Sequence, residues 1–272
     1  MSSDLAAALD TEAHTFPGRV GYAVTNLISG ERLLCRADET FPTASAVKLP
    51  ILTAFHAFVA GGGARWDDTA EITERSIPGG SGVLQHLTFP RRISYLDAAW
   101  LMICVSDNLA TNVLLRAMSI EVTNKLISEI IGPDITVKKY AGFDPAAPVQ
   151  SMGQATPRAL TQYLERLAAG ALPGAAATLA VAEQQSGRHS ITRYLPHHKD
   201  VPTALRIANK PGSLPGIRTD IAVVREGPGA VAMSFMTADA SDTGSTFENE
   251  GEKCIGRLAR IVYDAWLGEA AC

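Results

Sequence analysis

The sequence predicts an α/β fold of the mixed α+β kind, in which an antiparallel sheet built from both ends of the chain is flanked by helices and carries an inserted all-α subdomain. Two compositional regimes, with nothing separating them, lead to this expectation. Strand patterning is confined to the ends, helix punctuation dominates residues 45–195, and no Pro/Gly/Ser-rich linker, internal repeat or low-complexity tract intervenes. The 272 residues are therefore read as a single domain, with an α/β subdomain of residues 1–44 and 196–272 and an all-α subdomain of residues 45–195.

Each element has a local reason. Leu5, Leu9 and the alanines between them form an amphipathic N-terminal stretch. Arg19–Leu27 alternates in strand fashion, and Ser29-Gly30 turns the chain into Glu31–Arg36 to make a hairpin. Ser94 with Asp97 three residues on resembles a capping box, with Asp where Glu or Gln is usual, and opens a helix over Tyr95–Val105. Ser119 precedes a helix over Ile120–Ile131 that Gly132 ends. Thr156-Pro157 sets a cap and an N1 proline before Arg158–Ala169, and Gly170 stops that helix. Three β-rich runs then begin at Ala204, Arg218 and Ala230, separated by Pro/Gly turns, and Glu248–Leu267 closes the chain as an amphipathic helix. Clefts form where such halves meet, which directs the search for chemistry to residues 40–50 and 205–215.

Composition excludes several function classes. With 46% hydrophobic and 19% charged residues the chain is too apolar for a disordered segment, and four cysteines are too few for a disulfide-stapled scaffold. A net charge of −4 without any Lys/Arg block argues against nucleic acid or an anionic membrane as partner. No run approaches the roughly 18 apolar residues of a membrane helix. Asp4, Asp10 and Glu12 stand where a secretory signal would need a basic patch and an apolar stretch, so the chain is read as cytoplasmic, a removed leader being the alternative. Cys35, Cys104, Cys254 and Cys272 form no CxxC or Cys/His cluster, so reduced thiols and no metal or cofactor are expected, and His197-His198 reads as a solvated pair.

The first crossing holds Ser45-Ala-Val-Lys48 at a helix start. Residues three apart share a helix face about 5–6 Å apart, so the Lys48 amine can lie beside the Ser45 hydroxyl. A serine hydroxyl becomes a good nucleophile when a neighbouring base takes its proton, and burial in a cleft lowers a lysine toward that role. The unpaired N–H groups and positive dipole of a first helical turn also suit an oxyanion forming on the attacked carbonyl. Ser-x-x-Lys alone is expected by chance about once in a chain or two of this size. Two further motifs change its weight: Ser106-Asp107-Asn108 at the junction of two apolar helices, and Lys210-Pro211-Gly212-Ser213 at the second crossing. Their order, with 58 residues from Lys48 to Ser106 and 102 from Asn108 to Lys210, is the signature of penicillin-recognising serine enzymes.

On these residues the chain resembles the class A β-lactamases and the related low-molecular-weight DD-peptidases along nearly its full length, and the likeness extends to Ser106–Leu115, Ala155–Leu160 and Arg218–Val224. The resemblance implies that Ser45 is the nucleophile, with its own N–H and that of Ser213 as the oxyanion hole. It implies Lys48 as general base, Ser106 as proton shuttle to the leaving nitrogen, and Asn108 as a group holding Lys48 and the substrate amide. Lys210 becomes a cationic partner for Ser106 and for a substrate carboxylate. Gly212 and Ser213 join the substrate-binding strand, and Arg218, eight residues beyond Lys210, becomes a second cation on that carboxylate.

Two departures from the family pattern bear on turnover. Hydrolytic class A members carry Glu-x-x-Leu-Asn on an Ω loop, and that Glu activates the water that releases the acyl group; here residues 133–155 contain no glutamate. Glu129 and Glu165 flank the segment and read as exposed helix positions. Asp134 and Asp144 are left as the acids that could substitute, and Asp144, before a proline, reads as a turn residue. Pro211 stands where the family has a Thr whose hydroxyl helps bind a substrate carboxylate. The implied activity is a serine hydrolase that forms a Ser45 acyl-enzyme with small amides or esters and turns over β-lactams weakly. A true β-lactamase with a substitute deacylation base, and a non-catalytic penicillin-binding module, are the alternatives. Gly79–Gly82 lacks the Gly-Lys-Ser/Thr of a phosphate loop and reads as a cleft-rim turn, His86 as a surface residue, and Trp66, Trp100 and Trp266 as packing residues.

Overall fold

The computed structural model describes residues 2–196 and 205–268, so His197-His198, Ala204 and Cys272 lie outside the described residues. The N-terminal part supplies α1 (Ser2–Thr15), β1 (Arg19–Asn26), β2 (Arg32–Cys35) and β3 (Phe41–Pro42). The helical stretch then gives α2 (Lys48–Ala60), β4 (Thr69–Ile72), β5 (Arg91–Ser94), α3 (Tyr95–Cys104), α4 (Asn108–Met118), α5 (Ile120–Ile130), β6 (Ile135–Val137), β7 (Gly153–Ala155), α6 (Pro157–Ala168) and α7 (Ala175–Ala182). The chain ends with β8 (Arg206–Leu214), β9 (Ile217–Glu226), β10 (Gly229–Ala238) and α8 (Glu250–Trp266).

Strands from both ends form one antiparallel sheet in the order β2-β1-β10-β9-β8, as the patterning at the two ends predicts. Side chains alternate across it, and both faces are covered. Val20, Tyr22 and Val24 of β1, Ala222 and Val224 of β9, and Met233 and Phe235 of β10 pack against Leu5 and Leu9 of α1 and Ile255, Leu258 and Val262 of α8. Ile221, Val223, Ala232 and Met236 point the other way, into a larger core with α2, α3, α4 and α6. Double coverage explains why β1 is buried almost end to end instead of alternating with solvent.

The expected caps act where the sequence puts them. Ser94 Oγ accepts from the Asp97 N–H at 3.0 Å, Ser119 Oγ from Val122 at 3.2 Å and Thr156 Oγ1 from Ala159 at 3.1 Å, and Pro157 takes the first position of α6. Two small sheets add to this, β4-β5 within the insert and β3-β7-β6, in which β3 from the N-terminal part pairs with two strands of the insert; the two-regime pattern of the sequence does not predict them. Trp66 packs on Phe55 with ring centres 5.1 Å apart, but Trp100 is 43% exposed, because its position on α3 turns outward while Ala99, Met102 and Ile103 face the core. Cys35, Cys104 and Cys254 form no disulfide, and among the described residues no helix is long and apolar enough to cross a membrane.

Candidate active site

A cavity of about 460 Å³ opens where β8, the edge strand of the main sheet, meets the helical insert. Ser45, Ser106, Asn108, Gly212 and Ser213 line it, and Lys48 and Lys210 lie fully buried behind them. Ser45 sits in a short 3-10 turn, Ala44–Val47, that runs directly into α2 at Lys48. This turn is pinned from outside: the Ala44 N–H donates to Ser151 Oγ at 2.9 Å, and Thr43 N–H to the Gly153 carbonyl at 3.0 Å. Pro50 falls in the first turn of α2, where its missing N–H breaks no bond.

Gly212 brings β8 against that turn. A Cβ at position 212 would stand 2.5 Å from the Thr43 carbonyl oxygen and 2.7 Å from the Ser45 nitrogen, so a bare backbone is required for the strand to approach the nucleophile. Ser106, between α3 and α4, adopts a left-handed φ of +55°. Its carbonyl and its hydroxyl are thereby both presented to Lys48, whose Nζ donates to Ser106 O at 2.7 Å and to Asn108 Oδ1 at 2.9 Å and lies 3.2 Å from Ser106 Oγ. Lys210 approaches from β8, with Nζ 3.1 Å from the same hydroxyl and 2.8 Å from the Pro211 carbonyl. One hydroxyl therefore bridges two amines.

Burial governs both lysines. It holds Lys48 well below the ordinary lysine range, with the nearby Lys210 charge adding to the effect and Asp107 opposing it. Lys210 is brought down to about 7 by burial, against the pull of Asp220. Asp220, equally buried on β9, is pushed up to about 7 even though it accepts from the Ile191 N–H at 3.0 Å and from Asn209 Nδ2 at 3.2 Å. A neutral Lys48 amine can accept a proton, and the shared Ser106 hydroxyl can carry one between the amines and a leaving group.

The remaining motif residues hold the rim. Asp107 caps α4, accepting from Ala110 N–H at 2.9 Å, and its other oxygen takes the Leu84 N–H at 2.8 Å. Asn108 Nδ2 donates to the Gly79 carbonyl at 2.9 Å, and a Cβ at Gly80 would meet that nitrogen at 2.6 Å, so the Gly79–Gly82 turn packs on Asn108 as part of the cavity edge. His86 is exposed and away from the cavity lining.

Arg218 is the predicted site residue that the fold takes elsewhere. It is 2% exposed, and its guanidinium donates to Glu252 Oε1 at 3.0 Å, to the carbonyls of Leu214 (2.6 Å) and Ile217 (2.8 Å), and to the Gly244 carbonyl. These four bonds are directed into the hairpin and the loop ahead of α8, and Arg218 does not line the cavity. Candidate acids are also absent from the lining: among the described residues, no carboxylate borders the cavity. Asp144 accepts from Ala146 N–H at 2.9 Å within an exposed turn, and Asp134 is exposed. Glu165, expected to be an exposed helix position, is instead half-buried, because its carboxylate bonds Thr25 Oγ1 at 2.7 Å and Arg32 at 2.8 Å and fastens α6 to the sheet.

The sequence carries no signal for the part of the cavity wall formed by Gln185, Ser186, Gly187 and His189. Gln185 Nε2 donates to the Ile103 carbonyl at 2.6 Å and Ser186 to the Cys104 carbonyl at 2.7 Å, which fixes this segment to the end of α3 and leaves His189 bordering the cavity. No spacing rule marks such residues, since their partners are carbonyls more than 80 positions away.

With this geometry in place, comparisons with known proteins decide the family. A profile of the β-lactamase enzyme family matches residues 4–266. The chain belongs to that family. As a member it is a serine hydrolase of the β-lactamase type, a class that works through an acyl-enzyme. A β-lactamase from Sphaerobacter thermophilus superimposes with a TM-score of 0.85 at 28% identity, covering 97% of this chain and 96% of that one. PBP-A, in a mutant form held as an acyl-enzyme complex with penicillin G, superimposes with a TM-score of 0.82 at 23% identity, again over 97% and 96%. An ancestral class A β-lactamase gives 0.81 at 21% identity over 96% and 99%. No curated protein matches the sequence.

Proposed function

We propose that this β-lactamase-family hydrolase forms an ester at Ser45 with small amides, esters and β-lactams, and that a β-lactam ester is released slowly. Lys48, neutral through burial, takes the Ser45 proton as the hydroxyl oxygen attacks the carbonyl carbon. The oxyanion that forms is received by the N–H groups of Ser45 and Ser213, which the close approach of Gly212 brings to one place. Ser106 passes a proton to the departing nitrogen, and Lys210 keeps that hydroxyl oriented. Asn108 holds Lys48 and offers its side chain to the substrate amide.

One observation carries the reading. The two lysines converge on Ser106 and, among the described residues, no carboxylate borders the cavity, so acylation is equipped while no acid stands ready to activate water beside a β-lactam ester whose leaving group stays attached. A structural relative held as an acyl-enzyme with penicillin G supports the same chemistry here. For natural amides or esters the leaving group departs, and Lys48 or Ser106 can then activate water. The test is intact-mass spectrometry after mixing with penicillin G. A mass increase of one penicillin that persists for many minutes, and is missing from Ser45→Ala, is expected. No adduct together with no turnover of an amide and ester panel overturns the proposal, and full hydrolytic activity in Ser45→Ala overturns the assignment of the nucleophile.

A further inference from the structure

His189 is the single titratable side chain in the cavity wall among the described residues, since both lysines lie behind the surface and the acids point elsewhere. Its segment is held at both ends, by Gln185 and Ser186 on the last carbonyls of α3 and by the Ile191 N–H on buried Asp220. The ring stands beside β8: a Cβ at Gly187 would lie 3.2 Å from both His189 Cε1 and Pro211 Cγ. The residue is half-buried and lines the cavity.

We infer that His189 is a specificity-determining residue that pairs with a carboxylate of the substrate. This rests on the acyl-transfer reading above. On this side of the cavity Lys210 Nζ reaches the Pro211 carbonyl at 2.8 Å, Asp220 faces Asn209 and Ile191, and among the described residues no carboxylate lines the space. An anion entering here meets N–H and O–H donors and the Lys210 amine, with no carboxylate in the described lining to oppose it. Arg218 cannot serve, because Glu252 and three carbonyls occupy its guanidinium. Pro211 offers neither hydroxyl nor N–H. His189, next to Pro211, supplies a ring N–H on this side of the cavity, beside the Ser213 hydroxyl that lines the same space.

The test compares the second-order rate of Ser45 acylation by penicillin G with that by its methyl ester, both followed by intact mass. Losing a hydrogen bond to a charged group costs about ten- to a hundredfold, so His189→Ala should lower the acid-to-ester rate ratio at least tenfold. His189→Arg, which places a charged guanidinium fork there, should recover most of the ratio, and His189→Gln, an amide donor that keeps the wall filled, should recover part of it. A ratio unchanged in both His189→Ala and His189→Gln overturns the inference. So does an unchanged ratio with slower loss of the adduct, which would make His189 a deacylation base. Absence of any Ser45 adduct in the parent protein overturns the acyl-transfer reading, and this inference with it; an adduct with an unchanged ratio overturns the inference alone.

Discussion

Replacing Arg218 by Leu separates the two roles available to this residue. In the folded chain its guanidinium lies 3.0 Å from Glu252, with side chains 3% and 8% exposed, so deleting one partner leaves a carboxylate buried without its charge. Breaking a buried pair in this way costs about 3–5 kcal/mol. With an unfolding entropy of about 2.1 cal/mol/K per residue, the 272 residues give about 0.57 kcal/mol/K, so the loss corresponds to a fall in Tm of about 5–9 °C. The double variant Arg218→Leu/Glu252→Leu removes the stranded charge and should regain about half of that. Recovery stays incomplete because the Leu214 and Ile217 carbonyls lose their donor, while the Gly244 carbonyl keeps Asn249 Nδ2 at 3.0 Å. Circular dichroism melts measure the stability, and acylation by penicillin G at 25 °C measures the site. Because Arg218 does not line the cavity, acylation in the double variant should stay within about fivefold of the parent. A Tm unchanged in the single variant would refute the buried-pair argument. A hundredfold loss of acylation in a well-folded double variant would show that Arg218 acts on the substrate after all.

Two other substitutions probe the site. Gly212→Ala puts a methyl 2.5–2.8 Å from the Thr43 carbonyl and the Ser45 and Ala46 nitrogens, so β8 must retreat and acylation should fall at least about a hundredfold, with near-native far-UV circular dichroism; an unchanged rate would show that the strand's close approach is not needed. Asp220, pushed up to about 7 by burial, keeps a proton in the folded state that the unfolded chain has released, so stability should fall as pH rises from about 4 to 7. Lys210, brought down to about 7, has lost a proton the unfolded chain still holds, so stability should rise again from about 7 to 10. Asp220→Asn should flatten the lower-pH limb in a series of thermal melts, and a limb of unchanged slope would place the titration elsewhere.

Much of this architecture is legible in the sequence because its signals are local. Ser94, Ser119 and Thr156 declare helix starts through side chains that bond three residues ahead, and no distant contact is needed to read them. The Ser45–Lys48 pair and the order of the three motifs likewise survive as spacing. What spacing cannot carry is competition between distant partners. Arg218 stands at a suggestive interval from Lys210, but Glu252, 34 residues further on, holds it. Glu165 looks like a surface helix residue until folding brings Thr25 and Arg32 to it from the far end of the chain. His189 has no motif, and its place in the cavity wall arises from the two anchors that set its segment against β8.

The backbone of Ser106 restricts which residues evolution can place there. Serine and threonine offer the same hydroxyl, and proton transfer between two amines would accept either. At a φ of +55°, however, a β-branched side chain crowds its own backbone, and residues of that shape rarely adopt such an angle. The position is therefore closed to threonine by conformation, although it is open to it by chemistry. Glycine and asparagine, which fit the angle readily, lack the hydroxyl. Of the small polar residues, serine alone satisfies both the fold at the α3–α4 junction and the two lysines that meet there.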